Sequence, residues 1–404
     1  MKRLGCFTVA ILMVAAAAGA QPPPPNDPKQ AAAAPPTVDD EKMDVFDLVR
    51  KLRKKDAEAQ AEPPWDYRKM MVALAPVIGA KPSSGALFGA AGNLAFYRGD
   101  PSTTDISSMV TSLTFSTRKQ ISLTQRFTMF SRGNRWRLES DYRFQWTSLE
   151  TYALGTGADT TDGVLADFDF FRLHHTAYYR VRPSLYVGAG LYFDNHTDVG
   201  PNADEPGWAE SPYVTYSEAN GLPLESQASA GTSVDVLWDS RDGFINASRG
   251  WLAEASYRTL FDGFLGGDSS WQKLTIDVRT YVNLSRDRRH RLAFWAFTDL
   301  VVGGTAPYLD LPTTGGDTYG RSARGYAEGQ FRGERLAYGE IEYRGTLRRD
   351  GLLGVVAFLN TTTVTDLANA ERLFDSFAPA GGAGLRLLIN KRSKTNLCFD
   401  VGFG

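Results

Sequence analysis

From residue 70 onward, apolar and polar residues alternate with a period of two, which predicts β-strands. The clearest example is residues 135–146, where Trp136, Phe144 and Trp146 share one face and charged residues of both signs occupy the other. The segments 384–390 and 396–403 alternate in the same way. A soluble β-sandwich would also bury an aromatic face. Charges at every second position of the opposite face favour a membrane barrel with a polar lumen and a lipid-facing apolar band.

Fifteen such segments are predicted, and the connections between them differ in length. The segments begin near residues 70, 86, 107, 120, 135, 170, 184, 227, 250, 270, 290, 334, 351, 380 and 394. Several connections from even to odd segments are tight turns, whereas the odd-to-even connections include the long ones, 147–169, 196–226, 304–333 and 364–379. Short turns at one end and long loops at the other are typical of outer-membrane barrels.

The odd number of predicted strands conflicts with closure of the barrel. A closed antiparallel barrel formed by one bacterial chain needs an even number of strands. We therefore expect that the sequence lacks one final strand after residue 404. The alternative is that one segment has been split or missed.

The first twenty residues have the pattern of a cleaved secretory signal peptide, with two basic residues before an apolar run over 7–20 that ends in small residues. The run is too short to span a bilayer, which disfavours a membrane anchor; a short buried helix is the other alternative. Cleavage after Ala20 removes Cys6 and leaves Cys398. The mature, exported chain therefore cannot form an intramolecular disulfide.

Residues 21–69 are predicted to be a periplasmic tether. The proline and alanine tract 21–36 cannot build a packed core and should be an extended spacer. Thr37 is predicted to cap a helix. Residues 39–62 place apolar residues at helical spacing, with acidic residues early and basic residues late. This short amphipathic helix is either a docking segment for a partner or a solvated tether helix.

Composition narrows the function classes. The 404 residues include 44 Lys and Arg against 46 Asp and Glu, so no global basic field attracts nucleic acid. The mean hydropathy of -0.28 excludes a helical membrane protein. Two cysteines and four histidines leave little material for a zinc site. The acid-rich stretches 159–169 and 194–210 match no calcium-binding loop, so we interpret them as solvated outer loops and predict no metal or cofactor.

A family resemblance is carried by the connection before the twelfth segment. Residues 315–326 are GGDTYGRSARGY, followed by FRG at 331–333 and EIEYR at 340–344. This resembles the sixth-loop signature of the bacterial surface antigen barrels, the superfamily of BamA, TamA and the two-partner secretion translocators. DSRDG at 239–243 and APVIG at 75–79 resemble further family elements. The resemblance covers residues 70–404 and implies an all-β, transmembrane antiparallel β-barrel of the 16-stranded type with its sixth loop inserted into the lumen.

In that family, the arginine of the loop contacts acidic side chains on the inner wall of the barrel. The resemblance makes Arg324 that arginine, followed by Gly325 and Tyr326. It makes Gly315 and Gly316 the paired glycines that open the loop signature.

The resemblance also implies the partners of this arginine. Glu340 and Glu342 lie on one face of the twelfth segment, and a guanidinium in a partly desolvated lumen needs a carboxylate. Asn360 stands where many members have an aspartate on the thirteenth strand, so we expect the lock to rest more on Glu342. The alternative is that Arg324 is one of several solvated loop arginines. The others are Arg321, Arg332 and Arg335.

The resemblance implies insertion or translocation of proteins, or of lipids, at the bacterial outer membrane without nucleotide hydrolysis. The expected partners are outer-membrane lipids, unfolded client proteins and a periplasmic delivery protein. Many members carry periplasmic POTRA modules, which residues 21–69 are too short to contain. Members open between their first and last strands, and residues 70–78 would form one side of that seam. A passive or gated pore is the alternative function.

An outer-membrane lipid-modifying enzyme is the rival class. No G-x-S-x-G nucleophile elbow occurs in the sequence. His174 and His175 are adjacent on the sixth segment, so period two sends them to opposite faces. His196 and His290 lie in connections, where we expect solvated roles. We therefore predict no catalytic residues and no enzymatic activity.

Overall fold

Fifteen antiparallel strands form one continuous sheet in the computed structural model. The structure describes residues 42–45, 47–49, 66–81, 83–161, 163–202, 206–287, 289–391 and 393–404. Each strand pairs with its neighbours in sequence, so the order in the sheet is the order in the chain. The predicted signal peptide, Thr37 and most of the predicted tether lie outside the described residues. The all-β architecture predicted from the alternating pattern is confirmed.

The strands are 9 to 19 residues long. They are β1 Met71–Lys81, β2 Gly85–Phe96, β3 Ser107–Ser116, β4 Ile121–Phe130, β5 Trp136–Thr151, β6 Val164–Arg182, β7 Leu185–Pro201, β8 Gln227–Asp239, β9 Gly250–Leu260, β10 Trp271–Asn283, β11 His290–Gly304, β12 Arg335–Thr346, β13 Leu353–Val364, β14 Ala378–Asn390 and β15 Thr395–Phe403. Helix α1 is Pro212–Ala219. Single 3-10 turns are Arg132–Asn134, Trp208–Glu210, Phe264–Gly266, Tyr308–Asp310 and Arg321–Ala323.

The largest difference from the predicted segments concerns β5, β6 and β7. β6 begins at Val164 rather than near residue 170, so the acid-rich stretch predicted as a loop is partly strand. The carboxylate of Asp167 explains this, because it accepts hydrogen bonds from Ser148 Oγ at 2.5 Å and Asn202 Nδ2 at 3.0 Å. Acidic residues remain in an extended sheet when their oxygens are hydrogen-bonded.

The two faces of the sheet have the predicted chemistry. On β5, the side chains of Trp136, Phe144 and Trp146 are about half exposed on the outer face, whereas Arg137 and Asp141 are buried on the inner face. A row of exposed large apolar side chains on a folded protein marks a surface that contacts lipid or protein. The prediction of an apolar outer band and a polar inner wall is therefore confirmed.

The inner face is concave. Arg137 on β5 donates a hydrogen bond to Asp239 on β8 at 2.8 Å, and Tyr178 on β6 donates to Glu254 on β9 at 2.6 Å. Because these strands are three apart in the sheet, the sheet must curl to bring their side chains together. We call the space on this concave side the lumen. Within the described residues, β1 and β15 each pair on one side only, so they form the two edges of the curled sheet.

The two ends of the sheet are built differently. The turn end carries the connections from even to odd strands, such as 183–184, 347–352 and 391–394. The loop end carries the long connections, and there helix α1 packs against the lumen-side loops through Tyr213 and Tyr216, whose rings contact the ring of Tyr308. Among the described residues, no helix is both long and apolar enough to cross a membrane.

Candidate functional site

The connection between β11 and β12, residues 305–334, is here named the lumen loop. Its fold depends on Asp317, whose carboxylate accepts hydrogen bonds from the backbone N and the Oγ of Ser322, both at 2.7 Å. The backbone N of Gly315 donates to Ser322 Oγ at 3.0 Å. Gly315 has a φ of +79°, which favours glycine. The segment that leads to Arg324 is thereby held in one conformation.

Gly325 lets the loop approach the end of the sheet closely. Its φ is +103°, and a Cβ at this position would lie 2.6 Å from the Cβ of Ala380 on β14 and 3.2 Å from the carbonyl of Phe403 on β15. The next residue, Tyr326, donates its hydroxyl to the carbonyl oxygen of Pro379 at 2.7 Å. The loop therefore packs against β14 and β15 through backbone that only glycine permits.

Arg324 reaches three carboxylates on the inner wall. Its Nη1 lies 3.0 Å from Glu340 Oε1 and 2.6 Å from Glu342 Oε2, and its Nη2 lies 2.7 Å from Asp400 Oδ2. The guanidinium carbon lies 3.8 Å from the centre of the Phe358 ring. The side chain of Arg324 is 14% exposed. Charge-assisted hydrogen bonds of this kind, partly shielded from water, are stronger than neutral ones.

The third carboxylate was not among the predicted partners. Asn360 does lie beside Arg324, but it donates its Nδ2 to the carbonyl oxygen of Arg324 at 3.0 Å and adds no negative charge. Asp400 supplies a carboxylate from β15 instead. The expectation that Asn360 shifts the contact mainly onto Glu342 is thus replaced by an arrangement in which three carboxylates share Arg324.

The surrounding charges balance. Arg344 donates to Glu342 at 2.5 Å, and Arg386 forms a bidentate pair with Asp400. We name these six groups the lock cluster. Its members are Arg324, Arg344, Arg386, Glu340, Glu342 and Asp400. Three guanidiniums face three carboxylates, so the cluster is neutral, which lowers the cost of placing charges in a partly desolvated space.

The other loop arginines differ from one another. Arg321 and Arg335 are exposed, as the solvated interpretation expects. Arg332 is buried, and its Nη1 donates to the carbonyl oxygen of Tyr308 at 2.7 Å while the guanidinium lies over the Tyr308 ring. The prediction of a solvated Arg332 is wrong, because this side chain fastens the lumen loop to itself near the loop end.

Two functional contributors carried weak signals in the sequence. Asp400 shares the polar face of β15 with Asn396 and Cys398, which indicates that it points inward but does not reveal its partner. Asp317 lies within the loop motif, but its carboxylate accepts hydrogen bonds only because the backbone turn after it brings later N–H groups close. Pairing across strands that are distant in sequence requires the register of the whole sheet, which a single sequence does not supply.

A cavity of about 90 Å³ lies between residues 316–318 of the loop and the inner wall, enough for a few water molecules. His174 lines this cavity, and its Nε2 lies 2.9 Å from Asp194 Oδ2. Among the described residues, no hydroxyl or thiol forms a hydrogen bond with His174. His175 points to the other face, towards Tyr142.

The other two histidines, which were predicted to lie in connections, lie in strands. His196 lies within β7, is 3% exposed and stacks on Phe170, so the predicted solvated role is wrong. Its Nδ1 lies 3.9 Å from Oδ1 of Asp310, and burial raises the pKa of Asp310 above its ordinary value. His290 begins β11 rather than lying in a connection, and it is exposed. Within the described ranges, no group of three or more His, Cys, Asp or Glu side chains could hold a metal ion.

Comparisons with known proteins give a consistent picture. The sequence model of the Omp85 superfamily domain matches residues 97–391. The structure is similar to BamA from Haemophilus ducreyi lacking POTRA domains 1-3, with a TM-score of 0.51 and 13% identity over 82% of this chain and 70% of that chain. It is also similar to CdiB from Acinetobacter baumannii, with a TM-score of 0.51 and 12% identity over 83% of this chain and 60% of that one. At these identities, the likeness concerns the fold alone. No curated protein matches the sequence.

Proposed function

Because the chain belongs to the Omp85 superfamily, as its motifs predicted, we propose that it inserts or translocates proteins at the bacterial outer membrane. Its apolar outer band would contact outer-membrane lipids, and its partners would be unfolded client proteins and a periplasmic delivery protein. Residues 1–20 would direct export, residues 21–69 would form the periplasmic tether, and residues 70–404 would form the barrel. This activity requires no nucleotide hydrolysis and no enzymatic step.

The observation that carries this proposal is the contact between the lumen loop and β15. Arg324 joins the loop to Glu340 and Glu342 on β12 and to Asp400 on β15, which is one edge of the curled sheet. The position of the loop therefore depends on the position of an edge strand. When β15 moves outward, Asp400 leaves Arg324 and the loop loses one of its three charged anchors.

A barrel with this arrangement can couple two events that translocation requires. The edge strand β15 must move for a client strand to pass into the membrane beside it, and the loop must shift for a chain to enter the lumen. Both movements break the same hydrogen bond, between Arg324 Nη2 and Asp400 Oδ2 at 2.7 Å. A strongly polar contact of this kind re-forms when the client has left.

A gated pore is the second candidate, because Arg324 and Tyr326 hold the lumen loop against the inner wall and the end of the sheet. Passage through the lumen would require displacement of the lumen loop. The gated pore and the translocator therefore share the lock cluster and differ in what passes.

Reconstitution distinguishes these functions. The full chain would be refolded into phospholipid vesicles, and an unfolded outer-membrane barrel protein would be added as the client. We expect the parent to increase the rate at which the client becomes protease-resistant, Arg324→Ala to reduce this rate at least tenfold, and Arg321→Ala to match the parent. Arg321 is the matched control because it is an exposed arginine three residues away in the same loop.

Conductance across planar lipid bilayers is the second measurement. Deletion of residues 315–330 should convert a small, flickering current into a large, stable one. A parent that leaves the client rate equal to that of empty vesicles would contradict insertion activity. If its current also rose on loop deletion, the gated pore would be the better assignment, whereas a large stable current in the parent would contradict gating.

A further inference from the structure

The amino-terminal segment, here the described residues 42–45 and 47–49, contacts the turn end of the sheet. The backbone N of Met43 donates to the carbonyl oxygen of Asp350 at 2.8 Å. Gly351 lies beneath the aliphatic part of Lys42, because a Cβ at Gly351 would meet Lys42 Cγ at 3.3 Å. Gly351 also has a φ of +74°, so the turn both needs glycine and leaves room for Lys42.

The segment begins a helix with a reciprocal cap. Asp44 Oδ1 accepts a hydrogen bond from the backbone N of Asp47 at 2.9 Å, and Asp47 Oδ2 accepts one from the backbone N of Asp44 at 3.1 Å. The carbonyl oxygen of Asp44 then accepts the first helical bond, from Leu48 N at 3.0 Å. This is a capping box with aspartate at both positions. The described helical residues therefore begin at Val45.

Lys391 binds both acids of this cap. Its backbone N donates to Asp44 Oδ2 at 3.0 Å, and its Nζ lies 3.0 Å from Asp47 Oδ2. The side chains of Lys391 and Asp47 are each 14% exposed, and Asp44 is 5% exposed. An ion pair that is mostly shielded and shares its carboxylate with a helix cap has a fixed geometry, unlike an exposed surface pair.

The docked segment spans the turns of two neighbouring hairpins, which are also joined by the pairing of β13 with β14. Asp350 and Gly351 belong to the turn of the β12–β13 hairpin, and Lys391 belongs to the turn of the β14–β15 hairpin. The same two hairpins carry Glu340, Glu342 and Asp400 of the lock cluster. Beyond the β13–β14 pairing, side chains join the two hairpins in the lumen through Arg324, and the amino-terminal segment joins them at the turn end.

We propose that the turn end of the β12–β13 and β14–β15 hairpins is a docking site for the chain's own amino-terminal segment, with Lys391 recognising the acidic start of its helix. The occupied site fastens the two hairpins to each other and fixes where the tether leaves the barrel. This assignment differs from both predicted roles of the segment, a docking segment for a partner and a solvated tether helix. It does not depend on the proposed translocation activity, since it concerns contacts within one chain.

Hydrogen exchange of the refolded full-length chain tests the proposal, with variants that remove the ion pair but keep the cap. Asp47→Asn retains an oxygen that can accept from Asp44 N, and Lys391→Gln retains the backbone donor to Asp44. In each single variant, we expect the Met43 amide to exchange about tenfold faster, because one shielded charged hydrogen bond is lost. The double variant should exchange no faster than either single variant, since both remove one interaction.

Arg349→Gln is the matched control. Arg349 is in the same turn as Asp350, is exposed, and forms no hydrogen bond or ion pair in the described part of the chain. It should leave Met43 exchange unchanged. Asp47 lies outside the sheet, so its substitution removes no contact between strands. Fast Met43 exchange in the parent, or additive effects of the two variants, would overturn the docking assignment.

Discussion

Arg324 and Asp400 are 76 positions apart in the chain, yet Nη2 of the arginine lies 2.7 Å from Oδ2 of the aspartate. The contact places the loop arginine against an edge strand of the sheet. It also accounts for Asn360, which lies beside Arg324 without contributing a charge. The negative charge that position 360 does not provide comes from β15, two strands further along the sheet.

Asp400→Asn should destabilise the protein. The substitution leaves Arg386 without its bidentate carboxylate and gives the lock cluster a net positive charge, so we expect a loss of about 1–3 kcal/mol. Addition of Asn360→Asp should recover part of this loss by returning a carboxylate to the cluster. The free energy of unfolding in urea measures both effects. Asp262→Asn, at an exposed position, is the control and should leave the free energy of unfolding unchanged. Equal effects of Asp400→Asn and Asp262→Asn would contradict the prediction.

Arg324→Ala should be more damaging than the loss of Asp400. It leaves Glu340 and Glu342 partly buried without their shared cation, and breaking such a pair from one side costs about 3–5 kcal/mol. Arg324→Lys should recover little, because one ammonium cannot present two separate nitrogens to β12 and β15. Urea unfolding provides the measurement. A lysine variant as stable as the parent would show that charge alone suffices.

Gly325→Ala should displace the lumen loop. The new Cβ would combine an unfavourable φ of +103° with a 2.6 Å approach to the Cβ of Ala380, a strain of about 1–3 kcal/mol. Gly320→Ala is the matched control, since Gly320 has a φ of +65° but a Cβ there would lie 3.8 Å from the carbonyl oxygen of Gly315, an ordinary contact distance. Protease cleavage within residues 315–330 should become faster in the first variant than in the second. Equal cleavage would mean that φ alone, and not the close packing on β14, sets the loop position.

Stability should fall at high pH because of Tyr308. Burial raises the pKa of Tyr308 from 10.0 to about 12. Between these values, the unfolded chain loses this proton while the folded chain keeps it, so the folded state binds more protons and stability decreases as pH rises. The unfolding midpoint in urea should therefore fall between pH 9 and pH 12. Tyr308→Phe should flatten this dependence; an equal slope in both proteins would contradict it.

The sequence predicts the sheet better than the site. Alternation along β5 determines which residues face outward, because period two requires no knowledge of distant partners. It also predicts the starts of most strands within two residues, but it misplaces β6, since Asp167 and Asp169 resemble loop residues until their hydrogen bonds are known. The contacts of Arg324 with Glu340 and Glu342 follow the family motif. The contact with Asp400 depends on the curl and register of four strands, which no local pattern encodes.

The distance in sequence between Arg324 and Asp400 also orders events in biogenesis. The loop arginine and both β12 glutamates belong to elements that precede β15, so their contacts can form before Asp400 is in place. Until β15 pairs with β14, the cluster has an excess cation and the loop lacks its third anchor. The loop is therefore fully anchored only after the β14–β15 hairpin has formed.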